Sequence, residues 1–187
     1  MSSERTVKKM RLSMHSAQYF LPFGDLFEDD GFDKSTIEKM FESTVGDPVL
    51  VKYKCEATYI ESSDRCAVRY TEGKTEELSG ASTVISFSKD MTGGVSIIRR
   101  FVGSPVISSN AENAVLVDPE HGYETKYRTE MGDFTLRCIC GKIKNTIGEK
   151  GGTMLLDYIT QLEGFDPQRI KMRIELKPLM EEVDDVE

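Results

Sequence analysis

The stretch Gly122–Gly141, GYETKYRTEMGDFTLRCICG, reads as a β-hairpin with Met131-Gly132 as its turn. That turn pairs Thr129 with Phe134, Tyr127 with Leu136, Thr125 with Cys138 and Tyr123 with Cys140. Strand side chains alternate strictly, so all eight share one face. Glu124, Lys126, Arg128, Thr135 and Arg137 take the other. Gly132 supplies the positive φ that tight hairpin turns require. One register thus sorts nearly every residue of the stretch.

The same sorting recurs on either side. In 49–60 and 65–72, a Ser62-Ser63 turn sets Tyr59 opposite Cys66, Ala57 opposite Val68 and Cys55 opposite Tyr70. Val51 and Tyr53 continue that face, with Lys52, Lys54, Glu56, Arg65 and Arg69 behind it. Residues 7–15 form a first strand, with Met10, Leu12 and Met14 on its inner side. Strands at 82–88 and 94–102 carry apolar residues on both parities. Arg99 and Arg100 are adjacent there, so one of them turns inward, and spacing leaves open which. Shorter extended pieces fall at 105–108 and 114–118, after a polar loop at 73–81.

Beyond the central hairpin, apolar positions switch from even (Phe134 to Cys140) to odd (Ile143, Ile147). A bulge at Gly141 reconciles the two. The turn GEKGG, residues 148–152, leads into Met154, Leu156, Tyr158, Thr160 and Leu162. With no helix after it and no GK[ST], it is not a phosphate loop. The last strand sets Ile170, Met172, Ile174 and Leu176 against Arg169, Lys171, Arg173, Glu175 and Lys177, and Pro178 ends it.

Residues 19–47 break the alternation. Tyr19, Phe20, Phe23, Phe27 and Phe32 are spread around Pro22, Gly24 and Gly31. Ser35-Thr36-Ile37-Glu38 has capping-box spacing, and Ile37, Met40 and Phe41 follow on one helical face, up to about Thr44. So many aromatics must cover something. Phe20, Phe23, Phe27, Phe32, Met40 and Phe41 are candidates for a lid over a barrel mouth, a plug at its bottom, or a contact between copies. The outward apolar residues Ile139, Leu155 and Ile159 would help the last of these, a homodimer. The acids of this loop lack EF-hand spacing.

About nine or ten strands, mostly hairpin-linked, predict an all-β fold: a closed or nearly closed antiparallel up-and-down barrel. One short helix lies between the first two strands. Residues 1–178 read as one domain with 19–47 inserted, followed by an acidic tail, 179–187.

Net charge is −8, but ten of the acids sit in the 25–33 loop and the tail, leaving 22 acids against 24 basic residues in the body. The total therefore says nothing about partners. No apolar run reaches the roughly 20 residues of a membrane span. The N-terminus lacks the apolar core of a signal peptide, so the chain reads as cytoplasmic with no membrane partner. Cys55, Cys66, Cys138 and Cys140 form no CxxC and are best read as reduced core residues, with no metal or cofactor expected.

VLVKYKCEATYIESSDRCAVRYTE (49–72), Val95–Arg100, YRTEMGDFTL (127–136) and GGTMLLDYITQL (151–162) resemble the YwiB-like bacterial family. Its most specific mark is the pattern of Tyr127, Thr129 and Gly132. The resemblance covers most of 6–177. It implies a calycin-like (lipocalin-like) barrel and a bacterial source, and it carries no activity, because the family has none established. The 19–47 connection is longer than in the family, and Phe101 stands where glycine is expected. Two further calycin signatures are missing: the Gly-x-Trp of lipocalins and the Arg-x-Tyr of fatty-acid-binding proteins.

Six tyrosines, Tyr53, Tyr59, Tyr70, Tyr123, Tyr127 and Tyr158, fall on the inward parity. A buried phenol needs a partner, so the lining is semi-polar. It can hold a small hydrophobic or amphipathic ligand, with Arg99 or Arg100 as anchor, or belong to a filled core. The alternative role is an interaction barrel that meets a protein or polyanion through Arg169, Lys171, Arg173 and Lys177, joined by Lys9 and Arg11. That stripe has no interleaved aromatics, so nucleic acid is not expected. His15 and His121 assemble with no nucleophile or carboxylate pair, so no enzyme is expected.

Overall fold

The computed structural model describes residues 5–22, 24–28, 32–43, 46–72, 81–101, 112–129 and 132–179. Phe23, Thr44, Met131, the bulk of the polar loop, the piece at 105–108 and the tail from 180 lie outside them. The elements are β1 (Thr6–Phe20), α1 (Lys34–Glu42), β2 (Val49–Glu61), β3 (Arg65–Thr71), β4 (Ala81–Ser88) and β5 (Val95–Phe101). They continue with β6 (Glu112–Val117), β7 (Tyr123–Thr129), β8 (Gly132–Asn145), β9 (Gly152–Leu162) and β10 (Gln168–Pro178).

All ten strands join one antiparallel sheet in the order β6-β5-β4-β3-β2-β1-β10-β9-β8-β7. β1 pairs with β10 from Met10↔Pro178 to Phe20↔Gln168, which brings the first and last strands together. The result is an up-and-down barrel, closed except at the seam between β6 and β7. Asn113 stitches that seam: its Nδ2 donates to Arg128 O and Arg128 N donates to its Oδ1, both at 2.9 Å. A carboxamide carries the same donor and acceptor as a peptide group, so one buried side chain stands in for a ladder pair.

Both hairpins keep the predicted faces but not the predicted registers. Tyr123 pairs with Cys138, Thr125 with Leu136, Tyr127 with Phe134 and Thr129 with Gly132, so the connection is 130–131. Ala57 pairs with Tyr70 and Tyr59 with Val68, and the Ser62 N–H reaches Arg65 O at 2.9 Å, so that turn is Ser63-Asp64. Each slip is two residues. A slip of one would have turned every side chain over, whereas a slip of two is invisible to parity. The bulge at Gly141 falls where the change of parity requires it, between Cys140 and Lys142.

The described core of the insertion lies on the outside of the wall, not over the barrel mouth or at its bottom. Leu21, Leu26 and Met40 pack on the outward residues Ile139 and Ile159, with Ile37 and Phe41 at the margin, as a second small core. Of the three outward apolar residues, only Leu155 stays exposed. Two arginines clamp the insertion. Arg137 bonds Glu124 at 2.8 Å and the Leu26 carbonyl, and lies over the rings of Phe27 and Phe32. Arg169 grips Asp157 at 2.8 and 2.7 Å, bonds the Phe41 carbonyl and faces its ring. The helix cap is Asp33, whose carboxylate accepts from Ser35 N and Thr36 N, two residues before the predicted Ser35.

Candidate functional site: a half-hollow barrel

The barrel is solid at one end. Met10, Leu12, Tyr59, Phe87, Val95, Val117, Met154 and Ile174 are all essentially inaccessible there. The Tyr59 hydroxyl donates to Glu61 at 2.7 Å and lies 3.3 Å from the Cys66 sulfur. Toward the other end the packing gives way to a cavity of about 360 Å³, partly open to solvent.

The cavity begins where inward positions turn polar. β1 runs inward through Met10, Leu12 and Met14 and then offers Ser16 and Gln18; β9 follows Leu156 and Tyr158 with Thr160. That change ended the legible alternation of β1 at residue 15, although the strand continues to Phe20. Along one cross-strand row, Tyr70, Thr83, Arg99 and Asn113 stand side by side. Arg99 therefore faces inward, and its neighbour Arg100 is exposed on the outside.

Glu72, just past β3, reaches across this row. Its Oε1 accepts from Arg99 Nε at 3.2 Å and from the Thr83 hydroxyl at 3.0 Å, while Oε2 takes Arg99 Nη2. Burial works against the Arg99 charge, but the Glu72 carboxylate more than offsets it and holds the guanidinium protonated. Burial pushes the Tyr70 phenol up to about 12, and raises the buried Tyr158 well above the ordinary phenol range. These phenols are therefore neutral donors at physiological pH, around an arginine whose charge is already matched. Two buried polar atoms have no hydrogen-bond partner among the described residues, the Tyr53 hydroxyl and Ser16 Oγ; only Ser16, 4% exposed, lines the cavity.

Of the predicted interior residues, Tyr70, Arg99, Tyr127 and Tyr158 line the cavity. Tyr53 stands behind Tyr70, ring centroids 5.7 Å apart. Tyr59 belongs to the solid end, and Tyr123 packs against the core without reaching the cavity. Arg100 is outside. Four of the lid candidates that the structure describes are on the outer wall: Met40 is buried there, and Phe27, Phe32 and Phe41 stack on the clamping arginines. Phe20, at the end of β1 with the parity of Ser16 and Gln18, is exposed opposite Gln168. Sequence reading missed Ser16, Gln18, Glu72, Asn113 and Gln168. Their signal was present: polar residues at inward parity.

Among the described residues no group of three or more His, Cys, Asp or Glu could hold a metal ion. The four cysteines are free. Burial and the neighbouring Cys140 raise the Cys138 thiol, and burial with Asp118 and Asp157 pushes Cys140 up to about 11. No helix among the described residues is long and apolar enough to cross a membrane.

No curated protein matches the chain. Among solved structures, the fold is similar to the crystal structure of ywiB protein from Bacillus subtilis, with a TM-score of 0.57 and 15% identity. That likeness covers 91% of this chain and 93% of the other, and concerns the fold alone. The family model "Domain of unknown function (DUF1934)" matches residues 35–174. That span takes in the second to the ninth strand, most of the tenth, the clamping arginines and most of the cavity lining, and the chain belongs to the DUF1934 family.

Proposed function

We propose that this barrel is a binding protein of calycin-like type, cytoplasmic and bacterial, and not an enzyme. Its hollow end takes one small amphipathic molecule. The observation that carries this reading is Ser16 Oγ, a buried hydroxyl without a partner in the wall of a cavity of about 360 Å³. Burying a hydroxyl unpaired is costly, and a ligand that bonds it removes the cost. The volume lies within the roughly 300–1,000 Å³ of small-molecule sites. The chemistry narrows the ligand. Arg99 is matched by Glu72, so a free acid would meet no spare charge. An uncharged molecule with oxygen acceptors suits the phenols and Ser16, and its apolar part suits Ile97, Val115, Leu162 and Ile170.

Native mass spectrometry of protein purified from its own cells is the test. A bound neutral mass is expected, and Ser16→Ala should weaken its retention by roughly tenfold while leaving stability unchanged or slightly raised. Protein that carries only its own mass, with no added species, would contradict the reading.

A further inference from the structure

A second concavity, of about 520 Å³, lies on the outer wall, lined by residues of five adjacent strands from β2 to β8. The registers arrange it as two rows. Lys52, His15, Arg173, Leu155 and Lys144 follow one another across the sheet. Beside them run Leu50, Ala17, Lys171, Asp157 and Lys142. The single acid, Asp157, is already held by two bonds from Arg169. Among the described residues Arg173 has only Glu175 as an acidic partner, at 4.0 Å, and Lys171 lies over the Tyr19 ring. Lys52, Lys142 and Lys144 have no acidic partner among the described residues.

Elsewhere on the wall several cations are matched, although Lys9, Arg11, Lys54 and Arg69 also form no ion pair among the described residues. Lys8 pairs with Glu149 at 2.5 Å, Lys89 with Glu61 at 2.6 Å, Arg137 with Glu124 at 2.8 Å and Lys177 with Glu175 at 2.9 Å. In a chain of net charge −8 the groove thus gathers five cations, Lys52, Lys142, Lys144, Lys171 and Arg173, around one acid that is already held, and like charges on adjacent strands repel. The floor between them is apolar, with Leu155 39% and Leu50 60% exposed.

We propose that this groove docks an acidic peptide segment of a partner protein, with apolar side chains on Leu155 and acids on Lys52, Arg173 and Lys144. Its charge calls for an anion and its floor for apolar groups on the same molecule. No aromatic lines it, which a single-stranded nucleic acid would need for stacking. A concave groove does not fit a flat membrane, and a second copy would bring the same cations. Five strands at about 4.8 Å span roughly 19 Å, the length of about six extended residues.

The test is fluorescence anisotropy with a labelled octapeptide of alternating glutamate and leucine, which is too large for the interior cavity. Saturable binding is expected, weakened at least roughly tenfold by Lys52→Glu, Lys144→Glu and Arg173→Glu together. Raising NaCl from about 50 to about 300 mM should also weaken it. Leu155→Ser, and a glutamate–serine peptide in place of the first, should each bind several-fold more weakly. Should the triple reversal unfold the chain, the same positions changed to Gln, with the melting curve as control, give the same reading. Absence of binding at low salt overturns the proposal. So does binding indifferent to the triple variant, or equal for the glutamate–serine peptide. Tighter binding of an oligodeoxythymidine or of anionic phospholipid vesicles through the same cations would overturn it too. The Tyr70→Phe variant, altered in the interior cavity and not in the groove, should bind the peptide as wild type does, which separates failure here from failure of the interior site.

Discussion

Ser16 and Tyr70 show how a single position reports on the cavity. Ser16 has the parity of a core residue and the chemistry of a surface one, and it sits where the barrel stops being filled. Tyr70 is buried enough to hold its proton up to about 12, against roughly 10 for a free phenol. The sign of the consequence follows. Between those values the unfolded chain gives up a proton that the native one keeps, so stability falls as pH rises. Tyr53, Tyr59 and Tyr158 are raised in the same direction, chiefly by burial, and extend the effect to higher pH. Urea unfolding followed from pH 8 upward should lose on the order of 2 kcal/mol from Tyr70 alone by about pH 12. A burst of tyrosinate absorbance should accompany unfolding in that range. Stability that stays flat above about pH 10 would contradict the burial of these phenols.

Between residue and molecule, the insertion decides what the outer wall is. It is held by arginines that parity places outside and by glycines that leave room for rings. A Cβ at Gly141 would lie 2.4 Å from the Phe41 ring, and one at Gly122 would lie 2.5 Å from Phe32. Gly141→Ala should therefore destabilise by about 1–3 kcal/mol through collision alone. In a double-mutant cycle with Phe41→Ala, most of that loss should disappear, since the ring is what the methyl strikes. Additive effects in chemical denaturation would mean that the helix does not sit at Gly141. The aromatics of 19–47 announce that something is covered. Which surface they cover depends on Ile139 and Ile159, well over 90 positions away, and no local pattern links the two.

Over the whole molecule, the barrel is filled at one end and hollow at the other. Leu12, fully buried in the solid end, should cost about 2–5 kcal/mol on change to alanine. Ile170, which faces the cavity, gives up fewer contacts and should cost less, about 1–2 kcal/mol. Guanidinium unfolding of the two variants checks the order; a reversal would place the hollow end elsewhere. The seam belongs to this scale as well. Without Asn113 the ends of the sheet would meet with unpaired backbone, and the order of strands alone gives no hint that a side chain fills that gap.

Alternation in Met10–Met14, Tyr123–Cys140, Met154–Leu162 and Ile170–Leu176 determined the strands, their inner faces and the barrel, because a period of two survives in sequence without any neighbour. The change of parity at Gly141 likewise determined the bulge. Tertiary structure alone decided what parity cannot encode. It set registers two residues from the predicted ones, turned Arg99 inward onto Glu72, laid the insertion on the outer wall and left one end empty. Each of these depends on contacts between residues far apart in the chain, where packing volume and charge pairing, not local pattern, select among arrangements of equal parity.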